Sequence, residues 1–135
     1  MIEKRLLQRF EDFKNAFMRL KEAFDIEIEN EIIIDGIIQR FEFTFELAWK
    51  LMKDYLAYEG IEVNSPRSVI RAAYENHLID DGESWIDMLM DRNKTSHIYD
   101  KKLSLEIYNN IKDKHLKHLE DLKRKLEMII KRENK

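Results

Sequence analysis

The chain is poor in residues that interrupt helices and free of residues that cross-link them. Its 135 residues include no cysteine, one proline and three glycines. The missing cysteines exclude a disulfide scaffold, a zinc site built on thiolates and a thiol nucleophile. The scarcity of proline and glycine argues against a β-sandwich and a Rossmann-like domain, because both need many turns.

Long apolar runs are also missing. The longest contain a few residues, far short of the roughly 20 needed to cross a bilayer, and no cationic leader followed by an apolar stretch opens the chain. We therefore expect no membrane contact, no secretory signal and a cytoplasmic location. The formal net charge of −3 disfavours a general nucleic-acid coat but permits a local basic site.

What the sequence does contain is helical periodicity. Hydrophobic residues make up 44% and charged residues 38%, and the pattern predicts an all-α fold: an up-and-down helical bundle of about five helices with a four-helix-bundle-like core. Gly60 is expected to stop the second helix, and Ser65-Pro66 to start the third. The predicted helices cover about residues 6–24, 33–59, 66–76, 83–96 and 105–130.

The second predicted helix is apolar on more than one side. One apolar stripe would suffice in a monomeric bundle, so this helix needs a second partner, and a homodimer interface that includes Phe45 and Trp49 is the simplest one. The alternative is a central helix wrapped by the other four.

Most familiar site motifs are absent from the sequence. There is no Gly-rich phosphate loop, no His-Glu-x-x-His pair and no calcium loop. His115 and His118 have the spacing of a metal pair, but Lys114 and Lys117 flank them and no carboxylate stands at ligand spacing beside both. A solvated helix face is the favoured interpretation, and we expect neither a metal nor another cofactor.

Polar residues interrupt an apolar stripe in the fourth predicted helix. Arg92 and Tyr99 continue the stripe that Trp85 and Met88 bury, and Asn93 and His97 lie beside it. A charge directed at a core is costly unless it is paired or opens onto a cleft. Two interpretations follow.

In the first, Arg92 pairs with Glu42 or Glu46 of the second helix, and His97 caps the fourth. In the second, the polar residues form a functional site in a cleft.

The motif Arg, four residues, His, any residue, Tyr, formed by Arg92, His97 and Tyr99, resembles that of HEPN-domain proteins of the HepT toxin type. Further likeness lies in residues 39–50 (QRFEFTFELAWK), in Ser65-Pro66-Arg67 and in Asp91-Arg92-Asn93. These segments resemble the small helical family of nucleotidyltransferase substrate-binding proteins. The resemblance covers about residues 3–130, so we expect one HEPN-like domain over residues 1–135.

The resemblance implies a homodimer, or a higher homo-oligomer, made alongside a minimal nucleotidyltransferase. It further implies a toxin–antitoxin-type pair, with a metal-independent ribonuclease site containing Arg92 and His97 at the dimer interface and RNA as a further partner. The nucleotidyltransferase would silence the toxin by adding AMP to Tyr99. The alternative implied by the family name is a non-catalytic subunit that presents a substrate to the nucleotidyltransferase.

The residue types suit that chemistry. Metal-free RNA cleavage needs a base for the 2′-hydroxyl, which His97 can supply, and a cation for the phosphate, which Arg92 can supply. Asn93 can orient the imidazole or donate to the phosphate. A complementary acid would come from His97 of a second subunit or from water.

Charged residues around the motif are weaker candidates for substrate binding. Lys94, Glu46 and Lys50 are the candidates there. With Lys53, Lys101 and Lys102, these lysines could give an acidic protein a basic mouth, although a solvated charged surface is the favoured interpretation for each one.

Overall fold

The computed structural model describes residues 2–97 and 100–134, and helices dominate it. A 3-10 segment, Thr95–His97, follows the fourth helix, and a π-helical segment, Ile111–His115, joins the fifth helix to the sixth without a break. Counting that joined helix once, the described residues form a bundle of five helices, which confirms the predicted all-α fold. The α-helices are α1 (Lys4–Ala23), α2 (Glu31–Tyr58), α3 (Pro66–Glu75), α4 (Gly82–Lys94), α5 (Lys101–Asn110) and α6 (Leu116–Glu133).

Helix α2 is the central element of the bundle. It packs against α1, α3, α4, α5 and the 3-10 segment, so the alternative of a wrapped central helix accounts for most of its apolar surface. Phe45 is fully buried inside this core, and the expectation that it lies at a dimer interface is therefore wrong. Phe43, at 61% exposed, and Ile32, at 75%, are the large apolar side chains that α2 leaves to solvent.

Local signals set the ends of the helices much as the sequence predicts. Asn30 Oδ1 accepts a hydrogen bond from the amide of Ile32 at 2.9 Å, so α2 begins slightly earlier than expected. Gly60 follows α2 with a φ of 87°, a conformation that favours glycine. Ser65 and Ser68 form a capping box at the start of α3.

The π segment was not predicted, although the spacing of buried residues carries its signal. Ile107, Ile111, His115 and Leu119 are all buried and stand four residues apart. Four α-helical residues turn about 40° past a full circle, so three such steps would carry the stripe about 120° around a regular helix. The wider π turn absorbs that drift and keeps His115 facing the core.

Within residues 2–97 and 100–134, no helix combines the length and the apolarity that crossing a bilayer requires.

Candidate functional site

Arg92 lies in the last turn of α4 and forms an ion pair with Glu46 of α2. Its Nη1 also donates to Asn93 Oδ1 at 3.2 Å. The Arg92 side chain remains 29% exposed, and its buried Nε has no acceptor among the residues that the structure describes. The guanidinium is therefore fixed in place without having all of its donors used.

Glu46 is itself held by neighbours on its own helix. The indole Nε1 of Trp49 donates to Glu46 Oε2 at 3.1 Å, and Lys50 Nζ lies 3.8 Å from the same oxygen. With Arg92, three donor groups surround one carboxylate. This arrangement fixes the orientation of Glu46 and, through it, that of Arg92.

A second carboxylate on α2 holds the junction between α4 and the 3-10 segment. Thr95 Oγ1 lies 3.1 Å from Glu42 Oε2 and 2.6 Å from the carbonyl oxygen of Arg92, so its single proton can be donated to either. Glu42 and Glu46 stand one helical turn apart on α2. Together they fasten the end of α4 and the start of the segment that carries the backbone of His97.

A neighbouring face of α4 is held by a buried polar cluster. Asp91 is 6% exposed, and its Oδ2 accepts hydrogen bonds from His115 Nε2 at 2.7 Å and from Asn110 Nδ2 at 3.1 Å. Burial alone would raise the pKa of Asp91. The hydrogen bond and charge of His115, the Asn110 amide and the charge of Lys94 outweigh burial, so the pKa lies below its usual value.

The expectation that His115 lies on a solvated helix face is wrong. His115 is 2% exposed and stacks on Phe41 with ring centroids 5.4 Å apart. His118 is half-buried and lines a cleft of about 470 Å³ between α4 and α6. In the described part of the chain, no three His, Cys, Asp or Glu side chains lie close enough together to hold a metal ion.

Some of the predicted site residues lie together at the end of α4, and others lie outside the residues that the structure describes. Asn93 and Lys94 are exposed beside Arg92. Lys94 Nζ lies 4.0 Å from Asp91 Oδ1. Tyr99 and the side chain of His97 lie outside the described residues.

The lysines proposed as a basic mouth are distributed over the surface. Lys50 pairs with Glu46, and Lys101 Nζ lies 3.1 Å from Glu31 Oε1. Lys53 is half-buried and Lys102 is exposed. Two of these five lysines, Lys50 and Lys94, lie within 4.0 Å of a carboxylate of the site itself.

Fold and site together define a small all-α protein with an arginine-centred polar motif fastened to the end of its fourth helix. The chain belongs to the family described as nucleotidyltransferase substrate binding protein like, whose model matches residues 8–128. This confirms the identification made from residues 39–50 and 91–93.

A curated relative points to the HepT type. The chain is 34% identical over 97 residues to a protein of Haemophilus influenzae named probable ribonuclease HepT. The match covers 67% of this chain and 66% of the relative, so it spans just under two thirds of the relative's length.

Solved structures share the fold. A protein of Thermus thermophilus is 34% identical, with a TM-score of 0.75, over 82% of this chain and 94% of its own. A Haemophilus influenzae protein, described as revealing the fold of a substrate binding domain of a nucleotidyltransferase, is 29% identical, with a TM-score of 0.77, over 87% of this chain and 98% of its own.

A more distant structure contains a toxin with its antitoxin. The tri-AMPylated HEPN toxin of Shewanella oneidensis, in complex with MNT antitoxin, has a TM-score of 0.77 over 94% of this chain and 99% of its own. At 16% identity, this similarity concerns the fold alone.

Proposed function

We propose that this chain is the HEPN/HepT-like partner of a minimal nucleotidyltransferase in a toxin–antitoxin-type pair. In this proposal it cleaves RNA without a metal ion until the partner adds AMP to Tyr99. The observation that carries the proposal is the fastening of Arg92 by Glu46, one helical turn from the 3-10 segment that contains His97. The relative named probable ribonuclease HepT supports it.

The cleavage would proceed by transfer of the phosphoryl group within the RNA. His97 accepts the proton of a 2′-hydroxyl, whose oxygen bonds to the adjacent phosphorus while the bond from phosphorus to the 5′-oxygen breaks. The leaving oxygen takes a proton from water or from His97 of a second subunit. The products are a 2′,3′-cyclic phosphate and a 5′-hydroxyl.

Arg92 would stabilise the charge that develops on the phosphoryl oxygens. A guanidinium whose position is fixed before the reaction needs no reorganisation in the transition state. Glu46 supplies that fixed position, and the Arg92 side chain remains 29% exposed, so part of it can reach a phosphate. Asn93, exposed beside Arg92, would donate to the same phosphate.

AMP addition would block the same site. The hydroxyl oxygen of Tyr99 attacks the α-phosphorus of ATP, pyrophosphate leaves and the phenolic proton passes to solvent. Tyr99 stands two residues after His97, so the added nucleotide places a bulky anion next to the motif and competes with RNA for Arg92.

The deciding experiment is cleavage of a mixed RNA pool in EDTA. Wild type and His118→Ala, a matched histidine control away from the motif, should both cleave, and His97→Ala should lose about 10²–10⁴-fold in rate. Incubation with the nucleotidyltransferase and ATP should abolish cleavage by wild type and leave Tyr99→Phe active. Equal cleavage by His97→Ala and wild type would refute the assigned role of His97.

A non-catalytic, substrate-binding subunit is the second candidate function. The Haemophilus influenzae structure described as the fold of a substrate binding domain of a nucleotidyltransferase, 29% identical to this chain, supports it. If wild type without AMP on Tyr99, verified by mass, cleaves no RNA, this second function takes precedence.

A further inference from the structure

A buried polar pair lies directly behind the motif and takes no part in the chemistry proposed above. Asp91 precedes Arg92 in α4, and its partner His115 belongs to the π segment. Both residues are buried, at 6% and 2% exposure. The 2.7 Å contact between His115 Nε2 and Asp91 Oδ2 joins the last turns of α4 to the π segment.

The pair has the features of a built contact. Asn110 donates to the same oxygen of Asp91 at 3.1 Å, and the Phe41 ring lies almost parallel to the His115 ring, at 17°. The Nδ1 of His115 has no hydrogen-bond partner within the described residues. The imidazole is therefore held by one hydrogen bond and one stacked ring.

Stability alone does not account for such a pair. Replacing a buried ionic or polar pair with apolar side chains of similar size is often neutral or stabilising. Among the described residues, the other buried polar ones are Thr44 and Ser104, and the rest of the core is apolar. A directional bond at this position has a different advantage, since it fixes the orientation of α4 more narrowly than apolar packing does.

We propose that Asp91 and His115 are positioning residues that set the orientation of the last turn of α4. That turn carries Arg92, and the 3-10 segment of His97 continues from it. Glu42 and Glu46 hold the motif from the side of α2, and the Asp91–His115 pair holds it from the side of the π segment. The catalytic consequence rests on the proposed ribonuclease function, whereas the positioning itself does not.

Three variants separate positioning from packing. His115→Gln keeps an amide N–H near the place of Nε2 and should retain the bond to Asp91. His115→Leu removes the bond and leaves Asp91 buried without its main partner. The double variant Asp91→Leu with His115→Leu removes the pair altogether and restores an apolar core.

The test measures hydrogen–deuterium exchange in residues 92–97, with residues 41–52 of α2 as the internal reference and urea unfolding as the stability measure. The double variant should be at least as stable as His115→Leu, yet exchange in residues 92–97 should be about tenfold faster than in wild type, with little change in α2. His115→Gln should exchange like wild type. Unchanged exchange in the double variant, or equally fast exchange in His115→Gln and His115→Leu, would overturn the proposal.

Exchange needs no RNA, so its result stands apart from the fate of the proposed function. If wild type cleaves RNA, the double variant should lose mainly kcat, with little change in KM. A matched loss of stability and cleavage, with no selective exchange in residues 92–97, would reduce the pair to ordinary packing and refute positioning.

Discussion

At the scale of single residues, Glu46 determines how Arg92 can act. Its carboxylate is surrounded by the guanidinium of Arg92, the indole of Trp49 and the ammonium of Lys50. The ion pair orients Arg92, but its negative charge also weakens the attraction of Arg92 for a phosphate. Removing the charge while keeping the shape of the side chain separates these two effects.

We expect Glu46→Gln to bind a short, non-cleavable RNA more tightly, by about fivefold, which corresponds to about 1 kcal/mol. The amide still offers an oxygen to Arg92, and the partly exposed ion pair contributes about 1 kcal/mol or less to stability. Fluorescence anisotropy measures the affinity. The control, Glu62→Gln, removes the same charge at an exposed site outside the motif and should bind like wild type. Weaker binding by Glu46→Gln would show that orientation outweighs charge.

The sequence predicts the contact between Arg92 and Glu46 and misses the pair formed by Asp91 and His115. An arginine on an apolar stripe needs a carboxylate, and Glu46 was one of two candidates on the neighbouring helix. The sequence does not reveal the Asp91–His115 pair. Periodicity treats the last helix as regular, and on a regular helix His115 is expected on the solvated face. The π segment changes which residues of this helix face the core. Its signal is the spacing of the buried residues, which stand four apart from Ile107 to Leu119.

At the scale of elements, α4 is a helix fixed at both ends by polar contacts. Glu46 and Glu42 fasten its last turn and the Thr95 that follows it. At its first turn, Asp81 Oδ1 accepts from the Ser84 amide at 2.9 Å, and Oδ2 accepts from the Ser84 hydroxyl at 2.7 Å. The sequence predicts a helix from about residue 83, and the structure begins it at Gly82, a close match because helix starts depend on local chemistry rather than on tertiary contacts.

We expect Asp81→Ala to lower the free energy of unfolding by about 1 kcal/mol at neutral pH. The hydrogen bond from the Ser84 amide, followed by that from its hydroxyl, holds the pKa of Asp81 below its usual value of 3.8. A carboxyl group with a lowered pKa stabilises the fold above its unfolded-state pKa, and this contribution is lost as the pH falls through the folded-state value.

The difference in the free energy of unfolding between wild type and Asp81→Ala should therefore be largest near neutral pH. It should shrink in acid, below the usual pKa of aspartate. Urea unfolding of both proteins at neutral pH and in acid measures this difference. Glu83→Gln, in the same first turn, is the control and should change stability by a few tenths of a kcal/mol. A difference that stays constant in acid would contradict the assignment of the cap to the ionised carboxylate.

At the scale of the whole molecule, α2 is the central element. Most of its apolar surface is buried within the chain, because α2 packs against four other helices. The sequence alone cannot divide these apolar residues between core and interface, since both environments select the same side chains. The structure makes that division: Phe45 lies in the core and Phe43 on the surface.

Phe43 lies on the same side of α2 as Glu46, the ion-pair partner of Arg92. Glu46 and Leu47 stand three and four residues after it, at the spacing of neighbours on a helix surface. A second copy of the chain that covers Phe43 would thus come within one helical turn of the motif. The proposed mechanism needs such a neighbour if the second acid is His97 of another subunit.

We expect Phe43→Glu to give a folded monomer, because it places a charge on the exposed apolar position that a second copy would cover, without touching the core. Light scattering measures the mass, and circular dichroism should show that the helices remain. Met128→Glu, at an apolar position of α6 that is 68% exposed, is the matched control and should keep the mass of wild type. Phe45→Ala should instead lower the free energy of unfolding by about 3–5 kcal/mol. An unchanged dimer mass for Phe43→Glu would place the interface elsewhere on the molecule, and the second acid would then have to be water.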